Sequence, residues 1–264
     1  MVTLLGIPFD ANSSFLKGPA LAPDRIRLME KEGSANLFSE SGAEIKNGTA
    51  YIDKGDICFD TTDSTKGFLT IKDAIANELK SPNKILSLGG DHSVSYPIID
   101  AFSEKYENLH VLHIDAHSDL YENFDNNPYS HASPFARLAE QGKIKSLTQA
   151  GIRCNTIHLR EQANKYKVKV VEMKDFNFNF IQHLHGPLYI SLDIDSLDPA
   201  FAPGVSHHEP GGLSTRQLIQ IINQITVPIV GADLVEYNPI RDIHNMTAMV
   251  CYKLMKELIA KMNE

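Results

Sequence analysis

The sequence predicts an α/β fold in which a mainly parallel β-sheet is covered by helices on both faces. Runs of apolar, β-branched residues alternate with segments of helical periodicity over almost the whole chain. The runs are continuously apolar, which is typical of strands that are buried on both faces of a parallel sheet. No linker rich in Pro, Gly or Ser, no charge block and no internal repeat divides the chain. We therefore expect one domain over residues 1–264.

Two kinds of segment make up this alternation. Those with the composition of buried strands are VTLLGIPF (2–9), KILSLGGD (84–91), LHVLHIDAH (109–117), SLTQAGIR (146–153), VKVVEM (168–173), GPLYISLDID (186–195) and VPIVGADLVE (227–236). Those with helical character are GPALAPDRIRLMEKE (18–32), SVSYPIIDAFSEKY (93–106), SPFARLAEQGK (133–143), TIHLREQANKY (156–166), STRQLIQIINQI (214–225) and MTAMVCYKLMKELIAKM (246–262). The pattern assigns no element to residues 33–83.

Composition excludes several classes of protein. The net charge of -8, with no basic block, argues against a nucleic-acid partner. We see no apolar run long enough to cross a bilayer and no signal-peptide pattern, and so we expect a cytoplasmic protein without membrane association. Cys58, Cys154 and Cys251 are far apart, which argues against a disulfide framework; we expect them to be buried thiols.

Acidic and imidazole side chains follow four of the predicted strands. Ligands of an open parallel sheet bind outside the carboxyl ends of its strands, so functional side chains are expected there. The positions concerned are His92, Asp115, His117, Asp119, Asp193, Asp195 and Glu236. A solvated sheet edge would use Lys, Ser and Asn as readily, and the restriction to acids and histidines therefore favours a functional site.

The chemistry of these residues predicts a metal site. In HIDAHSD, Asp115, His117 and Asp119 occupy alternate positions, which share one face of an extended chain. Together with Asp193 and Asp195, these carboxylates would repel one another unless cations neutralised them, and so many ligands suggest two ions. Oxygen-rich ligation with some imidazole and no thiolate suits Mn²⁺, with Fe²⁺, Co²⁺ or Zn²⁺ as less favoured substitutes. Because such a pair activates water, we expect a hydrolase.

Other polar or glycine positions have simpler explanations. We expect Asp91 and Asp198 to support a ligand or cap a turn, not to bind a metal. His207 and His208 are expected in a loop without metal contact. The glycine pair 89–90 is expected to form a turn and not a phosphate cradle, because no Lys followed by Ser or Thr comes after it.

Three ordered motifs carry a resemblance to a known family. GGDHS (89–93), DAHSD (115–119) and SLDIDSLDPAFAPG (191–204) resemble the signatures of the arginase/agmatinase family, the ureohydrolases. The stretches SSFLKGPALAP, YSHASPFARL, PAFAPGVSHHEPGGLS and NMTAMVCYKL are similar to those of plant-type arginases. The resemblance covers nearly the whole chain and implies a three-layer α/β/α domain with a sheet of about eight strands.

The resemblance also implies a role for each site residue. The implied ligands are His92 and Asp119 for one manganese ion, His117 and Asp195 for the other, and Asp115 and Asp193 for both. His131, in YSHASPF, would shuttle a proton. Glu236, in LVEYNP, would accept charge-assisted hydrogen bonds from the guanidinium group of a small substrate.

The implied reaction is hydrolysis of a guanidino group to urea and an amine. The plant-like motifs favour L-arginine, which would give L-ornithine, and Arg160, in HLREQ, could meet its α-carboxylate. Alternatives are an agmatinase, a formiminoglutamase or another guanidino hydrolase, a non-catalytic metal-binding regulator, and a single-zinc deacetylase on a related sheet. The family habit implies a homo-oligomer, either a trimer or a hexamer.

Overall fold

In the computed structural model, which describes residues 1–33 and 35–264, eight strands form one sheet with parallel pairing throughout. The strands are β1 (Val2–Gly6), β2 (Tyr51–Asp56), β3 (Lys84–Leu88), β4 (His110–Ile114), β5 (Ser146–Ile152), β6 (Lys169–Glu172), β7 (Leu188–Asp193) and β8 (Ile229–Val235). Their order across the sheet is β2-β1-β3-β8-β7-β4-β5-β6. The predicted parallel sheet of about eight strands is confirmed.

Seven α-helices in this part of the chain cover the sheet. They are α1 (Ala22–Lys31), α2 (Ser64–Glu78), α3 (Ser95–Lys105), α4 (Pro134–Glu140), α5 (Ile157–Lys165), α6 (Thr215–Gln224) and α7 (Met246–Asn263). α7 packs against α1 and α6, whereas α3 packs against α2 and α4. Each group encloses its own apolar core, and α5 contributes to the core of the second group. None of the described helices is both long and apolar enough to cross a bilayer.

Alternate strand residues feed these two cores. In β7, Leu188, Ile190 and Leu192 belong to the core on the side of α7, whereas Tyr189 belongs to the core on the side of α3. Successive side chains of a strand point to opposite faces of its sheet, so a continuously apolar strand serves both layers. The expected helices on both faces are therefore observed.

Two elements lie in the segment to which the sequence pattern assigned none. β2 is an edge strand with mostly exposed polar residues, so it lacks the apolar run by which the other strands were recognised. α2 did carry a helix signal. Asp63 accepts a hydrogen bond from the backbone N–H of Lys66, and Phe68, Ile71 and Ile75 recur on its buried face.

The turn after β3 depends on close packing of the backbone. A Cβ atom added at Gly90 would lie 1.9 Å from the carbonyl oxygen of Phe9. The neighbouring Asp91 N–H donates to that oxygen at 3.1 Å, and the Gly90 carbonyl accepts from the N–H of Glu236 at 2.9 Å. Gly90 thus lets the ends of β1, β3 and β8 meet, which explains the glycine as a turn residue.

We expect Gly90→Ala to lower the free energy of unfolding by about 1–3 kcal/mol, because the methyl group would have to displace backbone. Urea unfolding followed by circular dichroism measures the change. Gly142→Asn is the control: its φ is +64° with open space around it, and Asn tolerates this left-handed conformation. Equal stability of Gly90→Ala and the unsubstituted protein would contradict the packing argument.

Candidate active site

The carboxyl ends of the four central strands bring most of the predicted site residues together. β3, β8, β7 and β4 are neighbours in the sheet. The residues are His92 after β3, Asp115, His117 and Asp119 after β4, Asp193 and Asp195 at the end of β7, and Glu236 after β8. Parallel strand ends thereby join side chains as much as 144 residues apart in sequence.

Three carboxylate oxygens converge on one imidazole nitrogen. Nδ1 of His92 lies 3.1 Å from Oδ2 of Asp115, 3.1 Å from Oδ2 of Asp119 and 3.0 Å from Oδ2 of Asp193. The ring is buried, and Nδ1 has no hydrogen-bond partner within the described residues. A buried ring nitrogen without a partner, among carboxylate oxygens, fits the donor set of a divalent cation.

A second group of potential ligands shares Asp115 with the first. Nδ1 of His117 lies 3.0 Å from Oδ2 of Asp195 and 3.4 Å from Oδ1 of Asp115. One oxygen of Asp115 therefore faces His92 and the other faces His117. The ligand atoms of His92, Asp115 and Asp119 are close enough together to hold an ion, and so are those of Asp115, His117 and Asp195. This arrangement fits two ions with a shared carboxylate.

The clustered charges shift the pKa values of these groups. Burial opposes protonation of His92, but the carboxylates of Asp115, Asp119 and Asp193 raise its pKa well above the usual range. Burial, reinforced by repulsion from Asp195 and Asp115, raises the pKa of Asp193 well above normal. Burial likewise raises the pKa of Asp195 to about 6. The cluster therefore retains protons that bound cations would displace.

His131 and Glu236 form a hydrogen-bonded pair beside this cluster. Nδ1 of His131 lies 2.8 Å from Oε1 of Glu236, and Nε2 lies 2.8 Å from the hydroxyl of Ser14. Burial disfavours the imidazolium, but the Glu236 carboxylate outweighs it and raises the pKa of His131 to about 9. Burial acts against ionisation of Glu236 too, and its partner His131 holds the pKa of that carboxyl below its usual value. The pair can thus hold a proton at neutral pH.

Two residues of the site adopt left-handed backbone conformations. The φ angles are +49° at Asp119 and +64° at Glu236. Residues other than glycine adopt this region infrequently, and such residues concentrate at functional sites. At both positions the backbone conformation directs a carboxylate into the site.

One cavity opens onto most of these groups, whereas His92 and Asp115 lie behind the residues that line it. Its polar wall includes His117, Asp119, Asp193, Asp195, His131 and Glu236, and its apolar wall includes Tyr121, Phe124, Ala132 and Leu159. No Lys or Arg is among the residues, within the described ranges, that line it. The cavity wall therefore combines acidic and imidazole groups with apolar side chains.

The structure does not bring Arg160 to this cavity. The guanidinium of Arg160 pairs with Glu172, and the Arg160 side chain is half exposed. Leu159, its neighbour in α5, is buried and lines the cavity instead. Successive helix residues point about 100° apart, so only one of the two can face inward.

Eight residues that line the cavity were not predicted as part of the site. Ser14, Cys154 and His207 are among them. The His207 ring centroid lies 5.4 Å from that of His131 and 6.0 Å from that of His117. Because His207 and His208 are adjacent in one loop, the sequence did not indicate which of the two would line a cavity. The prediction of buried thiols holds only for Cys251, since Cys154 is partly exposed and Cys58 is exposed.

The two acids that were expected to support structure do so. Asp91 accepts hydrogen bonds from the backbone N–H groups of Asn12 (2.9 Å) and Ser93 (3.1 Å). Asp198 accepts from the N–H of Ala200 at 2.9 Å and from that of Gly211 at 2.7 Å. Both carboxylates fix turns next to the site.

Comparisons with known proteins agree with this geometry. The sequence profile of the Arginase family matches residues 1–260. The chain is 44% identical to "Arginase 1, mitochondrial" of Arabidopsis thaliana, over 99% of this chain and 81% of that protein. The solved arginase from Medicago truncatula has a TM-score of 0.93 and 42% identity, over 99% of this chain and 87% of that one. An agmatinase of Bacillus anthracis is 33% identical over 98% of this chain and 90% of that protein. The chain therefore belongs to the arginase family.

Proposed function

We propose that the protein hydrolyses L-arginine to L-ornithine and urea. The observation that carries the proposal is that one cavity is lined both by part of the carboxylate–imidazole cluster and by the His131–Glu236 pair. Ligands for water-activating ions therefore lie beside groups suited to a guanidinium substrate. Plant arginases at 42–44% identity, against 33% for the agmatinase, favour arginine as the substrate.

We propose further that two Mn²⁺ ions occupy the cluster. The residues that would hold them are His92 and Asp119 for one ion, His117 and Asp195 for the other, and Asp115 and Asp193 for both. The four carboxylates match the four positive charges of two divalent ions, and the unpartnered Nδ1 of His92 supports a ligand role. When bound, such ions activate water near neutral pH and polarise an electrophilic carbon.

Glu236 is suited to bind the guanidinium group. Its carboxylate faces the cavity. Oε1 is engaged by His131 and by the backbone N–H of His92, whereas Oε2 has no hydrogen-bond partner among the described residues. The other oxygen can accept an N–H of a guanidinium through a charge-assisted hydrogen bond. Such a bond would orient the guanidino carbon towards the carboxylate–imidazole cluster.

His131 is suited to give a proton to the leaving amine. Its imidazolium is stabilised by Glu236, and its Nε2 faces Ser14 at the cavity wall. Water adds to the guanidino carbon, the C–N bond to the side chain breaks, and the departing nitrogen takes up a proton. A positioned imidazole accelerates such proton transfer by a factor of about 10²–10⁴.

Agmatine is the second candidate substrate, because the cavity wall contains no Lys or Arg within the described residues. A substrate carboxylate would have to rely on neutral donors, such as the Ser14 hydroxyl or backbone N–H groups. Agmatine lacks that carboxylate and needs no such donor.

Turnover of a substrate panel decides between these reactions. The panel contains arginine, agmatine, guanidinobutyrate and guanidine, assayed by urea release, and formiminoglutamate, assayed by formamide release. We expect arginine to have the highest kcat/KM. A higher value for agmatine would assign the chain as an agmatinase, and bound Mn²⁺ without turnover of any substrate would favour a non-catalytic regulator.

We propose a cytoplasmic location and a trimeric or hexameric assembly. Imaging of the tagged protein tests the location; two plant relatives are named as mitochondrial proteins. Light scattering of the Mn²⁺-loaded protein tests the assembly.

Asp115→Ala is expected to abolish binding of both ions, because Asp115 belongs to both ligand groups. Metal content per chain after dialysis, measured by mass spectrometry, gives the stoichiometry. Asp195→Ala is the matched control and is expected to retain one ion, since Asp195 belongs to one group. An Asp115→Ala variant that keeps two ions would rule out the shared carboxylate.

Glu236→Gln should lower kcat/KM for arginine by about 100-fold or more, because a misoriented substrate loses that much reactivity. Two Mn²⁺ ions should remain bound. Glu172→Gln makes the same change outside the cavity and should leave kcat/KM unaltered. Loss of metal from Glu236→Gln would show that Glu236 supports the ions and not the substrate.

His131→Ala should reduce kcat by about 10²–10⁴ with unchanged metal content, as for other losses of a general acid. Steady-state kinetics with and without added imidazole measures the loss and its partial rescue. His208→Ala, on the exposed part of a neighbouring loop, serves as the control. If the activity of His131→Ala stayed within twofold of that of the unsubstituted enzyme, His131 would be excluded as the proton donor.

A further inference from the structure

A row of five polar side chains crosses the sheet just before the strand ends that carry the site. In register, Ser87 of β3 pairs with Asp233 of β8, and Asp233 pairs with Ser191 of β7. Ser191 pairs in turn with His113 of β4, and His113 with Gln149 of β5. All five are fully buried. We call this set the polar row. Burying polar groups is unfavourable unless hydrogen bonds compensate, so the row calls for an explanation.

On one side, the polar row contacts His92. Ser191 donates its single O–H to Oδ1 of Asp233 at 2.8 Å, and Tyr189 donates to Oδ2 at 2.8 Å. Nε2 of His92 lies 3.0 Å from the Ser191 oxygen. Because the Ser191 proton is already used, the oxygen can only accept, and Nε2 must carry the hydrogen. The lone pair of His92 is then on Nδ1, the atom surrounded by carboxylates.

On the other side, the polar row contacts Asp115. Nε2 of Gln149 donates to the carbonyl oxygen of Ser118 at 2.6 Å, which identifies it as the amide nitrogen. The same nitrogen lies 3.0 Å from Nδ1 of His113 and can donate its second hydrogen there. The hydrogen of His113 is then on Nε2, which donates to Oδ2 of Asp115 at 2.7 Å. A defined chain of donors therefore holds this carboxylate.

We propose that the polar row positions the metal ligands: Asp233 and Ser191 select the His92 tautomer with a free Nδ1, and Gln149 and His113 orient Asp115. This inference rests on the proposed metal centre. None of the row residues except His113 belongs to a potential ligand group in the described chain. They act through the ligands, as outer hydrogen-bond partners do in metal sites.

Ser87 provides an internal control. It lies in the same row, is equally buried, and its hydroxyl has no hydrogen-bond partner among the described residues. Ser87→Ala and Ser191→Ala therefore remove the same atom from two buried positions on either side of Asp233. Only the second removes the partner of a ligand.

The test measures Mn²⁺ affinity by equilibrium dialysis with metal analysis, and the melting temperature of the metal-free protein. We expect Ser191→Ala to bind Mn²⁺ about 10–100-fold more weakly, the usual effect of losing an outer partner. Ser87→Ala should bind as the unsubstituted protein does. A merely structural role for Ser191 would instead lower the metal-free melting temperature and leave the affinity unchanged, which would overturn the inference.

A second variant keeps the test decisive if Ser191→Ala does not fold. Asp233→Asn keeps the size, but its amide can donate to Ser191 and turn the Ser191 O–H towards Nε2 of His92, so it should also weaken Mn²⁺ binding. Affinity equal to that of the unsubstituted protein, or an equal loss in Ser87→Ala, would contradict the proposal. An unsubstituted protein that binds no Mn²⁺ would overturn the metal centre itself, an outcome distinct from both.

Discussion

Mutual repulsion of buried carboxylates is the constraint on which the site depends. Asp115, Asp119 and Asp193 place oxygens around one imidazole nitrogen, in a largely buried region where water screens them only weakly. Such a group is stable only with protons or cations among its oxygens. The raised pKa values of His92 and Asp193 show that protons can balance these charges. The arrangement of the ligand atoms shows that cations can balance them instead. The same charges that are unfavourable without cations create the affinity for them.

The parallel sheet allows such a group to be assembled. Its central strands end side by side, so each needs to supply only one or a few ligands. The loop after β1 then closes over the ends. The N–H of Asn12 donates to Asp91, its side chain donates to Ser93, and its carbonyl accepts from the N–H of His131. Asn12 therefore fixes the segment that carries His131 relative to the turn that carries His92.

The sequence allowed the architecture and the placement of most site residues to be predicted, because both depend on local signals. Continuous apolar runs marked the central strands, and acids and histidines marked their ends. β2 was not predicted, because its mostly polar residues at the edge of the sheet lack an apolar run. Arg160 and His207 show a different limit. Whether a side chain on a short helix or in a loop faces a cavity depends on tertiary packing, which residue type does not encode. In the sequence, the polar row appears only as polar residues within apolar strands. The strand register of the structure identifies the partners of these residues.

The left-handed backbone at Asp119 and Glu236 has a consequence for evolution and engineering of the fold. This conformation disfavours residues with a side chain by roughly 1–2 kcal/mol, whereas glycine adopts it freely. Selection for heat resistance alone would therefore favour glycine at both positions and would relieve the crowding of negative charge as well. Stability and chemistry compete at these two residues. Variants taken from a stability screen should be expected to lose their carboxylates unless turnover is selected at the same time.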